Sequence, residues 1–243
     1  MGRLDNKVAL VTGASQGIGR GIAVGLAKEG ARLVLAARNT EGLSNTKSGI
    51  EADGGEALAV TTDVSREEDI TRLFAETVMH FGRLDILINN AGVFDSGPID
   101  QLSTEAWDKV IAINLRAPFL CTRAAFRIMK KQCGGRIINI GSISGQRVRP
   151  NSAPYSSAKF GLVGLTHVTA LEGREYGITC GCLHPGNTLS EHRSDSSVTQ
   201  NKEPMMSVAE LAEGAVYMAC QPPHINVLEI IQLPMNQLYI GRG

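Results

Sequence analysis

Short runs of apolar, largely β-branched residues recur along the chain, and longer stretches with helical periodicity lie between them. The runs VALVT (8–12), RLVLAA (32–37), ALAVTT (57–62), ILIN (86–89), RIINI (136–140), ITCGCL (178–183) and VLEII (227–231) predict seven strands. They read as continuous apolar segments rather than as a period-two alternation, which is the pattern of strands covered on both faces. Segments 20–29, 66–80, 104–131, 155–176 and 208–219 carry the helical pattern, and each suits a right-handed crossover between parallel strands. The expected fold is therefore α/β: one Rossmann domain over 1–243, a seven-stranded parallel sheet doubly wound with helices on both faces. Internal repeats and low-complexity segments are absent from the sequence.

One stretch breaks the rhythm. Residues 187–206, NTLSEHRSDSSVTQNKEPMM, are polar and charged and follow the sixth strand at its carboxyl end, where ligands of open α/β sheets bind. The expectation is a substrate lid, with His192 and Arg193 placed to meet a polar or acidic substrate group.

Composition and charge narrow the function classes. Lys plus Arg (24) balance Asp plus Glu (24), so no net field gathers nucleic acid or an anionic membrane. No apolar run approaches the roughly 18 residues that a bilayer span requires. The N-terminal MGRLDNK lacks a signal-peptide core, and the five cysteines (Cys121, Cys133, Cys180, Cys182, Cys220) are an odd number in a chain long enough to bury a core unaided. A reduced, cytoplasmic protein is expected, with Cys180 and Cys182 as core thiols. No metal is expected, because neither those cysteines nor His184 and His192 have partners at ligand spacing.

Glycine is the one excess, 27 of 243 residues, or about 11% against a usual content of roughly 7%. The first predicted strand runs straight into Thr12-Gly13-Ala14-Ser15-Gln16-Gly17-Ile18-Gly19, followed by a helix. Gly13 suits a tight turn, Gly17 admits a pyrophosphate close to the backbone, and Gly19 lets the helix pack on the strand. The helix N-terminus then directs N–H groups, those of Ser15, Gln16 and Ile18 among the turn, at an anion. At the end of the second strand, Ala37 stands where a dinucleotide fold that prefers NAD carries an acid. Arg38, followed by Asn39, instead offers a guanidinium fork for a 2′-phosphate, so NADP(H) is expected ahead of NAD(H). Asp63-Val64 end the third strand and Asn89-Asn90-Ala91-Gly92 the fourth. Tyr155 and Lys159, four apart, share one helix face. A cationic ammonium beside a phenol favours the phenolate, as an acid–base catalyst requires.

Taken together, TGASQGIG, Asp63-Val64, NNAG, Asn114, Ser142 thirteen positions before Tyr155, YSSAK and Pro185-Gly186 resemble, in order and spacing, the short-chain dehydrogenase/reductase family from Val8 to about Ile231. The resemblance implies Tyr155 as proton donor or acceptor for the substrate oxygen and Ser142 as a hydrogen-bond partner that orients it. It implies Lys159 on the nicotinamide ribose and beside Tyr155, and Asn114 holding a water that links Lys159 to solvent. Asp63 and Val64 would bind the adenine, Asn90 and Gly92 would lie along the adjoining ribose, and Pro185, Gly186 and Thr188 along the nicotinamide, with Ser190 as an alternative to Thr188. It also implies a hydride transfer between nicotinamide and a carbonyl or secondary alcohol, and a homotetramer or homodimer. The ending, HINVLEIIQLPMNQLYIGRG, lacks the family's usual glycine-rich form and is weakly similar to that of 3-hydroxy acid and serine dehydrogenases, through Asn226, Glu229, Pro234 and Gln237. A non-catalytic dinucleotide sensor would have no need of Ser142, Tyr155 and Lys159 together. An epimerase or dehydratase resembles longer chains with a different glycine spacing. Substrate identity rests on residues 93–96, 143–149 and the expected lid.

Overall fold

In the computed structural model, which describes residues 2–190 and 204–239, all seven expected strands pair into one parallel sheet. They are β1 (Val8–Thr12), β2 (Arg32–Ala37), β3 (Ala57–Thr61), β4 (Ile86–Asn89), β5 (Gly135–Ile140), β6 (Ile178–Pro185) and β9 (Glu229–Gln232). Two short strands, β7 (Thr188–Leu189) and β8 (Met206–Ser207), precede the last of these and pair only with each other. The order β3-β2-β1-β4-β5-β6-β9 reverses direction between β1 and β4. Such a switch point opens a crevice at the carboxyl ends of the strands.

The continuous apolar runs feed two cores at once, because successive side chains of a strand point to opposite faces. Ala9, Val11, Leu33 and Leu35 pack against α1 (Gly17–Lys28), α2 (Thr40–Ala52) and α7 (Val208–Ala219). Val8, Leu10, Val34 and Ala36 pack on the other side, against α3 (Glu67–Phe81) and α5 (Ala117–Lys131). On that face α4 (Thr104–Ile111) and α6 (Ala153–Gly173) complete the layer.

Three differences from the sequence pattern have physical causes. Helix α2 escapes detection because only Leu43 and Ile50 form its apolar stripe. It is fixed instead by Asn39, whose Oδ1 accepts the Gly42 N–H at 3.0 Å, and by Thr46, whose hydroxyl donates to the Ala14 carbonyl at 3.0 Å. The helix expected over 104–131 is divided by a π-helical turn at Ala112–Arg116. Pro118, four residues after Asn114, has no N–H to give the Asn114 carbonyl, and its ring crowds that position. The Ala117 N–H reaches back five residues to the Ala112 carbonyl instead. Of the expected lid, 187–206, the ends are described: Thr188 pairs with Met206 and Leu189 with Ser207. Residues 191–203, with His192 and Arg193, lie outside the described residues.

At the opposite end of the sheet, buried Asp85 accepts the Val8 N–H at 3.0 Å and two Arg83 guanidinium hydrogen bonds at 2.8 and 2.6 Å. Burial pushes this carboxyl up, but the Arg83 and Val8 hydrogen bonds, with the Arg83 and Lys7 charges, outweigh it and hold it below the ordinary carboxylate range. A depressed native carboxyl stabilises the fold above its unfolded value of about 3.9, and that contribution is lost as pH falls through the native value. Urea unfolding should therefore show an acid-side loss of stability below about pH 4 that Asp85→Asn flattens. Asp85→Ala, which leaves the buried Val8 N–H without an acceptor, should cost about 1–3 kcal/mol at neutral pH.

Candidate active site

The crevice between β1 and β4 is held by one hydroxyl. Thr12 Oγ1 accepts the N–H groups of Asn90 and Ala91, both at 3.0 Å, and donates to the Ile88 carbonyl at 3.3 Å. The Asn90 side-chain amide returns the contact, donating to the carbonyls of Thr12 (2.9 Å) and Gly13 (3.3 Å). Gly13 has φ +68° and Gly17 φ +53°, backbone conformations that side chains disfavour. A Cβ on Gly19 would stand 2.2 Å from the Gly13 oxygen. Glycine is thus a steric requirement, and the positive end of α1 faces the opening.

The opening is a groove of about 360 Å³. Gly13, Ser15, Gln16, Gly17, Ile18 and Gly19 form its floor, Arg38, Asn39, Asp63 and Val64 one wall, and Asn90 and Gly92 the other. Asn39 also caps α2 with its side-chain oxygen, while Arg38 is exposed at the end of β2. Burial raises the Asp63 carboxyl, but hydrogen bonds from the Ser65 hydroxyl (2.7 Å) and N–H (2.9 Å), with the Arg38 and Arg66 charges, bring it below the ordinary range. Ala37 and Val93, marked in the sequence at the cofactor-discriminating and substrate-side positions, line the groove as well, as do Thr62, Ala91 and Ile113, to which no role was assigned from sequence. Apolar residues at strand ends carry no signal that separates a ligand wall from core.

Tyr155, Lys159, Ser142 and Asn114 are not in the groove wall but adjoin it through one loop. Val93 lines the groove. Its N–H donates to Asn114 Oδ1 at 2.8 Å and its carbonyl accepts from Asn114 Nδ2 at 2.7 Å. The next residue, Phe94, meets Tyr155 edge-to-face with ring centroids 5.2 Å apart. Lys159 is buried, with Nζ 5.6 Å from the Tyr155 ring centroid and donating to the Ile140 carbonyl at 2.7 Å. That contact ties α6 to the end of β5. Ser142 stands two residues past the end of β5, and its Oγ accepts the Ser144 N–H at 3.1 Å in a 3₁₀ turn that packs on α6.

Beyond β6, the Gly186 N–H donates to the Gln232 carbonyl at 2.8 Å, and Pro185 is the last strand residue. Thr188 is buried, with its hydroxyl donating to the Gly186 carbonyl at 3.2 Å, whereas Ser190 lines the groove opposite Gly17. His184 belongs to no motif of the sequence. It is fully buried, with Nδ1 3.0 Å from the Ser142 carbonyl oxygen.

This geometry has counterparts among known proteins. Residues 7–201 match the family model described as short chain dehydrogenase. A 3-oxoacyl-[acyl-carrier-protein] reductase of Synechocystis is 38% identical over 213 residues, 87% of this chain and 85% of that protein. A 3beta-hydroxysteroid dehydrogenase of Mediterraneibacter gnavus is 38% identical over 216 residues, 84% of this chain and 78% of that one. The crystal structure of a metagenomic short-chain oxidoreductase in complex with NADP superposes with a TM-score of 0.85 at 34% identity, covering 96% of this chain and 98% of that one. A steric cradle at the switch point, a tyrosine and lysine one helical turn apart and these likenesses along the chain have one reading: the protein belongs to the short-chain dehydrogenase/reductase family, the nicotinamide-dependent oxidoreductases that act on CH–OH or carbonyl groups.

Proposed function

We propose that the protein is an NADP(H)-dependent oxidoreductase of a ketone, aldehyde or hydroxy acid, run reversibly between carbonyl and secondary alcohol. The observation that carries this reading is the 90–94 loop. It joins a cradle that has a cation and no carboxylate at the end of β2 to the helix bearing Tyr155 and Lys159.

The groove fits a dinucleotide: a Cβ at Gly19 would close it, and Gly13 and Gly17 hold conformations that bring backbone to the surface. Arg38 holds the 2′-phosphate, Asp63 and Val64 flank the adenine, and Asn90 and Gly92 flank the ribose. Ser190, rather than the inward-turned Thr188, meets the carboxamide. When bound, the reduced cofactor supplies a hydride to the carbonyl carbon. Tyr155 gives its phenolic proton to the carbonyl oxygen as the alcohol forms, and takes it back in oxidation. Ser142 donates a hydrogen bond to the same oxygen and fixes its direction. Of the three Lys159 donors, one is committed to Ile140. The others serve the ribose hydroxyls, and the buried positive charge stabilises the phenolate. Because Pro118 leaves the Asn114 carbonyl without its α-helical donor, that oxygen is available to a water leading from Lys159 to solvent.

Exposed apolar side chains on α5 and α6, Phe119, Phe160, Val168 and Leu171, support self-association into a homotetramer. All five cysteines are free, and burial pushes the Cys121 and Cys182 thiols up to about 12, which supports a reducing, cytoplasmic setting.

By titration, NADPH should bind at least about tenfold more tightly than NADH, as a charge-assisted contact contributing about 1.5–3 kcal/mol requires. Arg38→Ala should erase that difference while leaving NADH affinity in place, and tighter NADH binding in the parent protein would refute the cofactor assignment. In a panel of ketones and hydroxy acids followed by nicotinamide absorbance, Tyr155→Phe should keep cofactor affinity and less than about a tenth of the turnover. Lys159→Ala should lose both. Light scattering at micromolar protein should show the assembly; a monomer alone contradicts it.

A further inference from the structure

Behind Ser142 stands a polar cluster to which the carbonyl chemistry gives no task. His184 offers Nδ1 to the Ser142 carbonyl at 3.0 Å, and its Nε2 lies 3.3 Å from Glu229 Oε2 on β9. The same carboxylate oxygen accepts from Gln146 Nε2 at 2.9 Å, four residues after Ser142. Its other oxygen meets Nε2 of His167 at 2.9 Å, and His167 is on α6, the helix of Tyr155 and Lys159. Gln146 accepts in turn from the Tyr239 hydroxyl at 2.5 Å. Among the described residues no group of three His, Cys, Asp or Glu side chains is arranged to hold a metal ion.

Both atoms that face the His184 ring are acceptors, whereas a neutral imidazole has a single N–H. Burial, outweighing the opposing pull of the Ser142 carbonyl and Glu229, holds this ring below the ordinary histidine range. The neutral ring keeps its proton on Nδ1 for Ser142 and leaves Nε2 buried without a hydrogen bond, facing a carboxylate. That arrangement works against stability. The contacts of Glu229 with Gln146 and His167 are exposed, and such pairs contribute little. What the cluster provides is geometry: where the 143–145 turn already packs on α6, it adds a directional polar tie between the turn that carries Ser142 and the helix that carries Tyr155.

We propose that Glu229 and His184 are positioning residues, Glu229 clamping the 142–146 turn to α6 through His184 and Gln146 on one side and His167 on the other, so that the Ser142 hydroxyl keeps its place relative to Tyr155. The proposal rests on the reading of Ser142 and Tyr155 as the groups that meet the substrate oxygen. Misplacement of about 1 Å in such a pair can cost on the order of a hundredfold in rate.

A double-mutant cycle separates this role from a merely structural one. Single-turnover carbonyl reduction with NADPH would be measured for the parent protein, Glu229→Ala, Ser142→Ala and the pair, with NADPH affinity as the check on folding. Glu229→Ala should lower the rate about tenfold or more with affinity unchanged, and by less than about twofold once Ser142 is already alanine. Glu229→Gln should restore part of the rate, because its amide can donate to the orphan His184 Nε2 and accept from His167, while the nitrogen that then faces Gln146 Nε2 gives up that arm of the clamp. If Glu229→Ala loses NADPH binding, Gln146→Ala, which cuts one arm of the clamp at the surface, carries the same cycle with a smaller loss confined to the Ser142 background. Equal losses in both backgrounds, or no loss in either, overturn the proposal. Full activity in Ser142→Ala and Tyr155→Phe would instead sink the underlying reading, independently of Glu229.

Discussion

The site depends on how closely the start of α1 approaches the end of β1. At Gly19 the helix comes within a distance of the Gly13 carbonyl that no side-chain carbon permits. That approach brings the helix dipole to the crevice, and Thr12 and Asn90 then lock β4 against the same turn. Because the Asn90 amide occupies both the Thr12 and Gly13 carbonyls, the glycine turn cannot shift without moving the loop that leads to Val93 and Phe94. The cradle and the helix bearing Tyr155 and Lys159 are therefore one mechanical unit, with Asn114 and the Phe94–Tyr155 contact as its second fastening.

Much of this architecture is written in local patterns. The strands announce themselves because both faces are covered, so Leu33, Val34 and Leu35 are all apolar although they serve two cores. The glycine turn is legible because strain and close approach admit no other residue. Pro118 is a visible mark of the helix break at Asn114, once it is seen that it removes a donor rather than a whole helix. Legibility ends where a role depends on a distant partner. Helix α2 shows almost no stripe because its hold comes from Asn39 and from Ala14, the latter 32 positions before Thr46. Thr188 and Ser190 look alike in sequence, and only their surroundings turn one hydroxyl inward and the other to the groove. Gln146 and Glu229 meet across 83 positions, and no spacing rule reaches so far.

The relatives sharpen a point about substrate. Proteins named for an acyl-carrier substrate and for a steroid stand at the same 38% identity to this chain. Overall likeness therefore does not favour one of these named substrates over the other. In the 143–149 segment that follows Ser142, two arginines, Arg147 and Arg149, flank the exposed Val148. Arg147 lies over the Tyr239 ring at 5.2 Å, which places Tyr239 next to the turn that follows Ser142.

The pairing of β7 with β8 separates two kinds of evolutionary change. Its two-residue ladder brings Thr188 and Met206 together whatever chain connects them. Closing a loop whose ends are already pinned grows costlier only with the logarithm of its length, about 0.6 kcal/mol for each doubling. Changes of length between these strands are thus thermodynamically cheap, while at Gly13 and Gly19 even an added Cβ is sterically excluded. A lineage can in this way vary the length of one bounded segment while the cradle at the switch point keeps its shape.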